Sequence, residues 1–198
     1  AVALSFVVSC ALFLFSGGDA SAATKTWTGG GNSDTWSVAD NWSPSGAPAD
    51  GDSIVFNCDT ACSSLFDMPG ITIGSVEFNG AGVGNVINLT QAPINITVGI
   101  DSEAMGSVFG GYVVLGSNIT VNNTALQGVD LNGYSLTMTG RGFLNSNNDR
   151  WLGIAGEVMG NGTLNINVDP DQEFYLSIPN TYSGTTNINS GKFVSNGQ

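Results

Sequence analysis

The chain has 198 residues, 41% hydrophobic and 10% charged, with 16 acidic against 4 basic side chains, no histidine and a formal net charge of −12. That balance excludes a binder of nucleic-acid backbones, which needs clustered cations, and the lack of histidine excludes a serine triad of the usual type. Charge is too sparse and the Val, Ile, Leu and Phe content too high for a disordered polyelectrolyte, and 28 glycines, about twice the ordinary ~7%, describe a folded chain punctuated by turns.

Residues 1–22 open with an apolar run from Ala1 to Phe15, continue through Ser16-Gly17-Gly18 and reach Ala20-Ser21-Ala22 ahead of Ala23. An apolar run followed by a polar stretch and a small-residue cleavage site is the pattern of a secretory signal peptide. The run, at about fifteen residues, is short of the ~20 that span a bilayer. Export bears on the cysteines that follow. Cys58 and Cys62, in "CDTAC", flank the turn-forming Asp59, Thr60 and Ala61 and are expected to close a small loop as a disulfide. A metal site would need two more soft ligands, and dithiol redox catalysis uses the shorter C-x-x-C spacing.

Residues 23–56 hold three of the four tryptophans, Trp27, Trp36 and Trp42. An indole buries a large apolar area and needs a partner for its N–H, so this segment is expected to form a cap over the first structural unit. The alternative is a carbohydrate platform of exposed indole faces.

From residue 57 to 198 short β-type runs recur between Gly and Asn turns, among them "ITIGSVEF", "INITV", "NITV", "SLTM", "TLNINV" and "TTNI". They are rich in Val, Ile and Thr, and no stretch shows helical periodicity. The strand centres near Ile119, Leu136, Leu164 and Thr186 recur at irregular intervals of roughly 20 residues, close to one turn of a β-solenoid. In Leu164-Asn165-Ile166-Asn167-Val168 the alternation sends apolar side chains to a narrow core and asparagines to the surface. The expected fold is all-β, a parallel β-helix with a Trp-rich cap; the alternative is a β-sandwich or jelly roll.

Chemistry has few candidates. The cations are Lys25, Arg141, Arg150 and Lys192, and Arg150 adjoins Asp149. The densest acidic cluster, "DPDQE", carries Asp169, Asp171 and Glu173 and reads as a turn between two strands. A polysaccharide lyase would need a Lys or Arg base and a glycosidase two converging carboxylates, so Asp149, Arg150, Asp169 and Asp171 are the candidates for a carbohydrate-active alternative, lyase or hydrolase. The N-x-[ST] triplets at Asn41, Asn88, Asn95, Asn118, Asn122 and Asn161 follow from an Asn- and Thr-rich composition.

Two motifs carry a family resemblance. Trp27-Thr28-Gly29, Trp36-Ser37, Asn41-Trp42, Pro48, Gly51-Asp52 and Phe56 resemble the start of the passenger region in bacterial autotransporter-like proteins. Near the other end, Asn180-Thr181-Tyr182-Ser183-Gly184-Thr185-Thr186, with Ile188, Gly191 and Val194, is similar to the autotransporter-associated β-strand repeat. Phe193 stands where that repeat more often has Leu. In this reading Gly184 and Gly191 mark turns while Ile188 and Val194 face inward. The resemblance implies a right-handed parallel β-helix on, or released from, the outer face of the bacterial outer membrane after export through the periplasm. It implies further repeats, often followed by an outer-membrane barrel that would supply any membrane attachment. The function expected is structural or adhesive, without cofactor, metal or catalysis in this segment, and directed at a host or extracellular-matrix surface or a polysaccharide.

Overall fold

The computed structural model describes residues 22–57, 62–79, 86–88, 93–102, 107–141, 143–144, 150–176 and 180–195. The expected signal peptide, Ala22 apart, lies outside these residues, as do Cys58 and Asp149. In chain order the strands are β1 (Thr24–Trp27), β2 (Trp42–Ser43), β3 (Ser53–Asn57), β4 (Ser63–Leu65), β5 (Thr72–Asn79), β6 (Val86–Asn88), β7 (Ile94–Ser102), β8 (Ser107–Leu115) and β9 (Ile119–Asn122). They continue with β10 (Thr124–Asp130), β11 (Ser135–Gly140), β12 (Phe143–Leu144), β13 (Arg150–Ile154), β14 (Val158–Met159), β15 (Asn161–Val168), β16 (Glu173–Leu176), β17 (Ser183–Ser190) and β18 (Lys192–Ser195). Among the described residues the only helical element is a 3-10 turn, Ala39–Asn41, so the fold is all-β.

Its sheet is mostly parallel. The antiparallel pairs among the described strands are β1–β2 and β12–β13; a sandwich of hairpins would have made antiparallel pairing the rule. One ladder runs β1, β3, β5, β7, β9, β11, β15, β17, every step parallel. A second runs β4, β6, β8, β10, β13, β16, β18, again parallel throughout. In addition, the far end of β8 pairs with the start of β7, and the far end of β10 pairs with β8 and β14. Along both ladders a strand pairs mostly with one that is not its neighbour in sequence. Side-chain hydrogen bonds between paired strands span 17 residues from Thr139 to Asn122, 28 from Asn165 to Thr137 and 22 from Asn187 to Asn165. The four strand centres expected from sequence are consecutive register partners: Ile119 with Leu136, Leu136 with Leu164, Leu164 with Thr186.

Parallel, in-register pairing places like on like. One inward column runs Lys25, Ile54, Val76, Ile100, Val121, Met138, Ile166, Ile188. From Ile54 to Ile166 its members are buried, and full burial of a side chain of this size stabilises by about 1.5–3 kcal/mol. The two ends differ. Lys25 lays its stem at the head of the column and donates its ammonium to the Pro44 and Ser45 carbonyls at 3.1 and 3.5 Å, which lets an apolar stem meet the core while the charge stays at the surface. Ile188, the last member, is 50% exposed. It occupies the inward register that the sequence assigns it, but no described strand packs on its far side.

Two expectations are corrected here. Val194 does not face inward: it is the register partner of Tyr175, whereas Phe193 partners the buried Phe174 and stacks on it at 6.3 Å. With an alternation of period two, only one of two neighbours faces the core, and the larger ring does. Gly184 does not mark a turn; it lies inside β17 at φ +151, opposite Gly162, whose carbonyl oxygen would sit 1.8 Å from an added Cβ. Only glycine allows that backbone approach. Thr186, a partner of the buried Leu164, is itself exposed, as Ile188 is, because both lie on the outermost described strand of their ladder. Gly191, at φ +88 between β17 and β18, is a turn glycine as expected.

Candidate functional site

At the first strands the aromatic cluster is closed. Trp27, Trp36 and Trp42 are 7%, 0% and 3% exposed. Trp42 packs edge-on against both Trp27 and Trp36, with ring centroids 5.0 and 5.2 Å apart, and Trp36 packs edge-on against Phe66 at 5.2 Å. The indole N–H of Trp36 donates to the Ser64 hydroxyl at 3.0 Å and that of Trp42 to the Trp36 carbonyl at 2.7 Å. Phe56 continues the cluster onto Phe78, stacked at 5.3 Å. With their flat faces spent on one another, these indoles offer no platform for a sugar ring. The cluster also reaches past residue 56, because Ser64, Phe66 and Asp67 belong to it: Asp67 accepts from the Ser37 N–H and hydroxyl at 2.9 and 2.5 Å.

Polar residues, among them Asn41 and Asp52 of the motif quoted above, hold this end in shape. Asn41 is fully buried; its amide donates to the Ser33 and Thr35 carbonyls at 2.6 and 2.8 Å and accepts from the Gly31 N–H at 2.8 Å. This N-x-[ST] asparagine is thus a loop organiser enclosed by its own chain. Asp52, 3% exposed, accepts from the Ala23 and Ala49 N–H groups at 2.7 and 2.9 Å, tying the start of β1 to the loop before β3. Cys62 is disulfide-bonded; its expected partner, Cys58, lies outside the described residues.

Around the terminal motif, Asn180 accepts from the Val158 N–H at 2.9 Å and joins successive circuits. The Tyr182 hydroxyl bonds to the Thr186 hydroxyl while its ring packs on the core. Asn187 and Asn189 donate to Asn165 and Asn167 at 2.8 and 2.6 Å, an outward ladder of amides. These contacts are architectural.

The carboxylates of "DPDQE" do not converge on a common point. Asp169 pairs with Arg141. The Arg141 guanidinium is pushed above its ordinary value, first by its hydrogen bond to Asp169, then by the charges of Asp169 and Asp171. Exposed pairs of this kind contribute little. Glu173 takes the Tyr175 hydroxyl, and Asp171 is exposed in the turn closed by the Gln172 N–H on the Asp169 carbonyl. Arg150 lies in β13, at the register position across from Leu144. No group of three or more acidic or cysteine ligands is gathered for a metal among the described residues.

A concave feature lies elsewhere, on the outward face of the first ladder, as a depression of about 440 Å³. Two details of sequence create it. β7 carries one residue more than β5 between the pairs Ile73–Ile96 and Ser75–Gly99, a β-bulge that thrusts Val98 out to 66% exposure. Beside it, the outward row Ser75, Gly99, Thr120 lacks a side chain at its centre. A Cβ on Gly99 would lie 2.8 Å from the Thr120 carbonyl oxygen. In the adjoining outward row, Glu77 and Asp101 are register partners on neighbouring strands, and Thr139 donates to Asn122 at 3.1 Å while Asn122 donates to Asp101 at 2.8 Å. No local sequence signal marks this site; "TVGIDS" reads as an ordinary strand, and only pairing with β5 exposes the extra residue.

The chain was compared with family models, with curated proteins and with solved structures, and none of them matches it.

Proposed function

We propose that these residues form the capped first turns of a right-handed parallel β-helix, the structural and adhesive passenger region of an autotransporter-like protein, secreted or held on the extracellular face of a bacterial outer membrane. The observation that carries this reading is the inward column from Lys25 to Ile188, built by unbroken parallel pairing and sealed at its first end by buried tryptophans. A stack of this kind is quasi-one-dimensional: each circuit buries its apolar face on the next, and a cap is needed where the stack begins. Its outward rows of Asn, Thr and Asp side chains present a long polar surface at low cost to the core. Such a scaffold holds ligand-binding features away from the cell, and its chemistry is recognition of a host or matrix surface or a polysaccharide without turnover.

The reading is tested with antibody raised against residues 22–198, applied to unpermeabilised cells of the native organism. Surface labelling, together with retention of the purified chain on matrix or polysaccharide beads, supports it. Labelling only after permeabilisation refutes the location, and release of reducing ends from a polysaccharide, lost on Asp149→Ala or Arg150→Ala, refutes the absence of catalysis.

A further inference from the structure

We infer that the depression beside Val98 binds a saccharide bearing free amino groups, with Glu77 and Asp101 as the cation-recognising pair; this names a ligand for the adhesive surface proposed above and rests on that reading. The shape argument comes first. A volume of about 440 Å³ falls within the ~300–1,000 Å³ of small-ligand sites. It is generated by backbone features, the bulge at Val98 and the bare Gly99, rather than by side chains that could swing closed.

The chemistry follows from what each lining group has left to offer. Asn122 spends one of its two amide N–H groups on Asp101 and accepts from Thr139 at its carbonyl, and Ser75 donates to Ser53 at 3.0 Å. Carboxylates only accept. Asp101 keeps one oxygen and Glu77, with no hydrogen-bond partner among the described residues, keeps both. The charged open valences of the site are therefore acceptors, with one Asn122 N–H and the Thr120 hydroxyl beside them, which suits a cationic donor flanked by hydroxyl groups. Glu77 and Asp101 stand one strand apart, roughly 4.8 Å, and neither Lys nor Arg lines the depression. In a chain of net charge −12 that uncompensated pair repels phosphate, sulfate and uronate and attracts an ammonium. A bare amine would satisfy the charge but not the shape. Hydroxyl groups flanking the ammonium suit the remaining acceptors and the Thr120 hydroxyl, while the exposed Val98 side chain supplies an apolar wall for the face of a sugar ring.

The test is calorimetric titration of the full chain at low salt with the trimer of β-1,4-linked glucosamine, its fully N-acetylated counterpart, a uronic acid trimer, and calcium alone. Binding of the free-amine trimer is expected, weakening as salt rises and falling by at least about tenfold in the double variant Glu77→Gln/Asp101→Asn. Both substitutions are isosteric, the amide introduced by Asp101→Asn retains an oxygen that accepts from Asn122, and unchanged thermal unfolding verifies the fold. The distant Asp171→Asn is expected to bind as the parent does. The inference is overturned if the acetylated or the uronic acid trimer binds as tightly, if the double variant binds unchanged, or if only calcium binds. Surface labelling of intact cells is independent of these titrations, so the failure of one reading is distinguishable from the failure of the other.

Discussion

Replacing Ile166 and Ile188 separately by Ala measures what stacking contributes. The two residues are register partners in one inward column, identical in chemistry and different in cover. Ile166 is 0% exposed, held between Met138 and Ile188. Its truncation removes buried methyl groups and leaves a void that the surrounding strands cannot collapse, because their backbones are fixed by pairing on both sides; the expected loss is about 2–5 kcal/mol. Ile188 is 50% exposed. Half of its transfer term is absent to begin with, and the space left opens to solvent rather than forming a cavity, so the expected loss is about 1 kcal/mol. Urea unfolding followed by tryptophan fluorescence and by far-ultraviolet circular dichroism reads both as shifts in midpoint at constant slope. Equal losses at the two sites would refute the reasoning, since they would mean that Ile188 is as enclosed in solution as Ile166.

The other predictions concern single contacts. Asn41→Ala, which strips the Ser33 and Thr35 carbonyls and the Gly31 N–H of their partner, is expected to cost at least about 2 kcal/mol in thermal or urea unfolding; a neutral outcome would show that water satisfies the loop equally well. Gly184→Ala places a Cβ 1.8 Å from the Gly162 oxygen and is expected to part β17 from β15, read as lost hydrogen-exchange protection over residues 183–188, with β1 to β11 unaffected. Arg141→Ala breaks the exposed pair with Asp169 and is expected to leave the unfolding midpoint unchanged within error; a measurable drop would assign the pair a structural role.

The sequence determined the class of this fold and much of its periodicity. Strand composition, glycine and asparagine punctuation, and alternation in "TLNINV" are local properties, and local properties are what propensity and period can read. Ile119, Leu136, Leu164 and Thr186, read from sequence as strand centres, are register partners in the parallel sheet. The burial of the three tryptophans was expected on size and on the need of an indole N–H for a partner; all three are buried, and Trp36 and Trp42 find their partners within the chain.

Tertiary structure decided the rest. The pairing of Asp169 with Arg141, 28 residues away, is a long-range contact that no local pattern reports. Val194 and Phe193 are adjacent apolar residues, and a single sequence cannot say which of two neighbours takes the inward side until Phe174 fixes the register. Asn41, Asp52 and Asp67 are ordinary polar letters in the sequence and become organisers because the loops they serve fold back on them. The depression at Val98 exists only as a difference between two strands: β7 has one residue more than β5 across the same span, and an extra residue is invisible until the partner that lacks it is known.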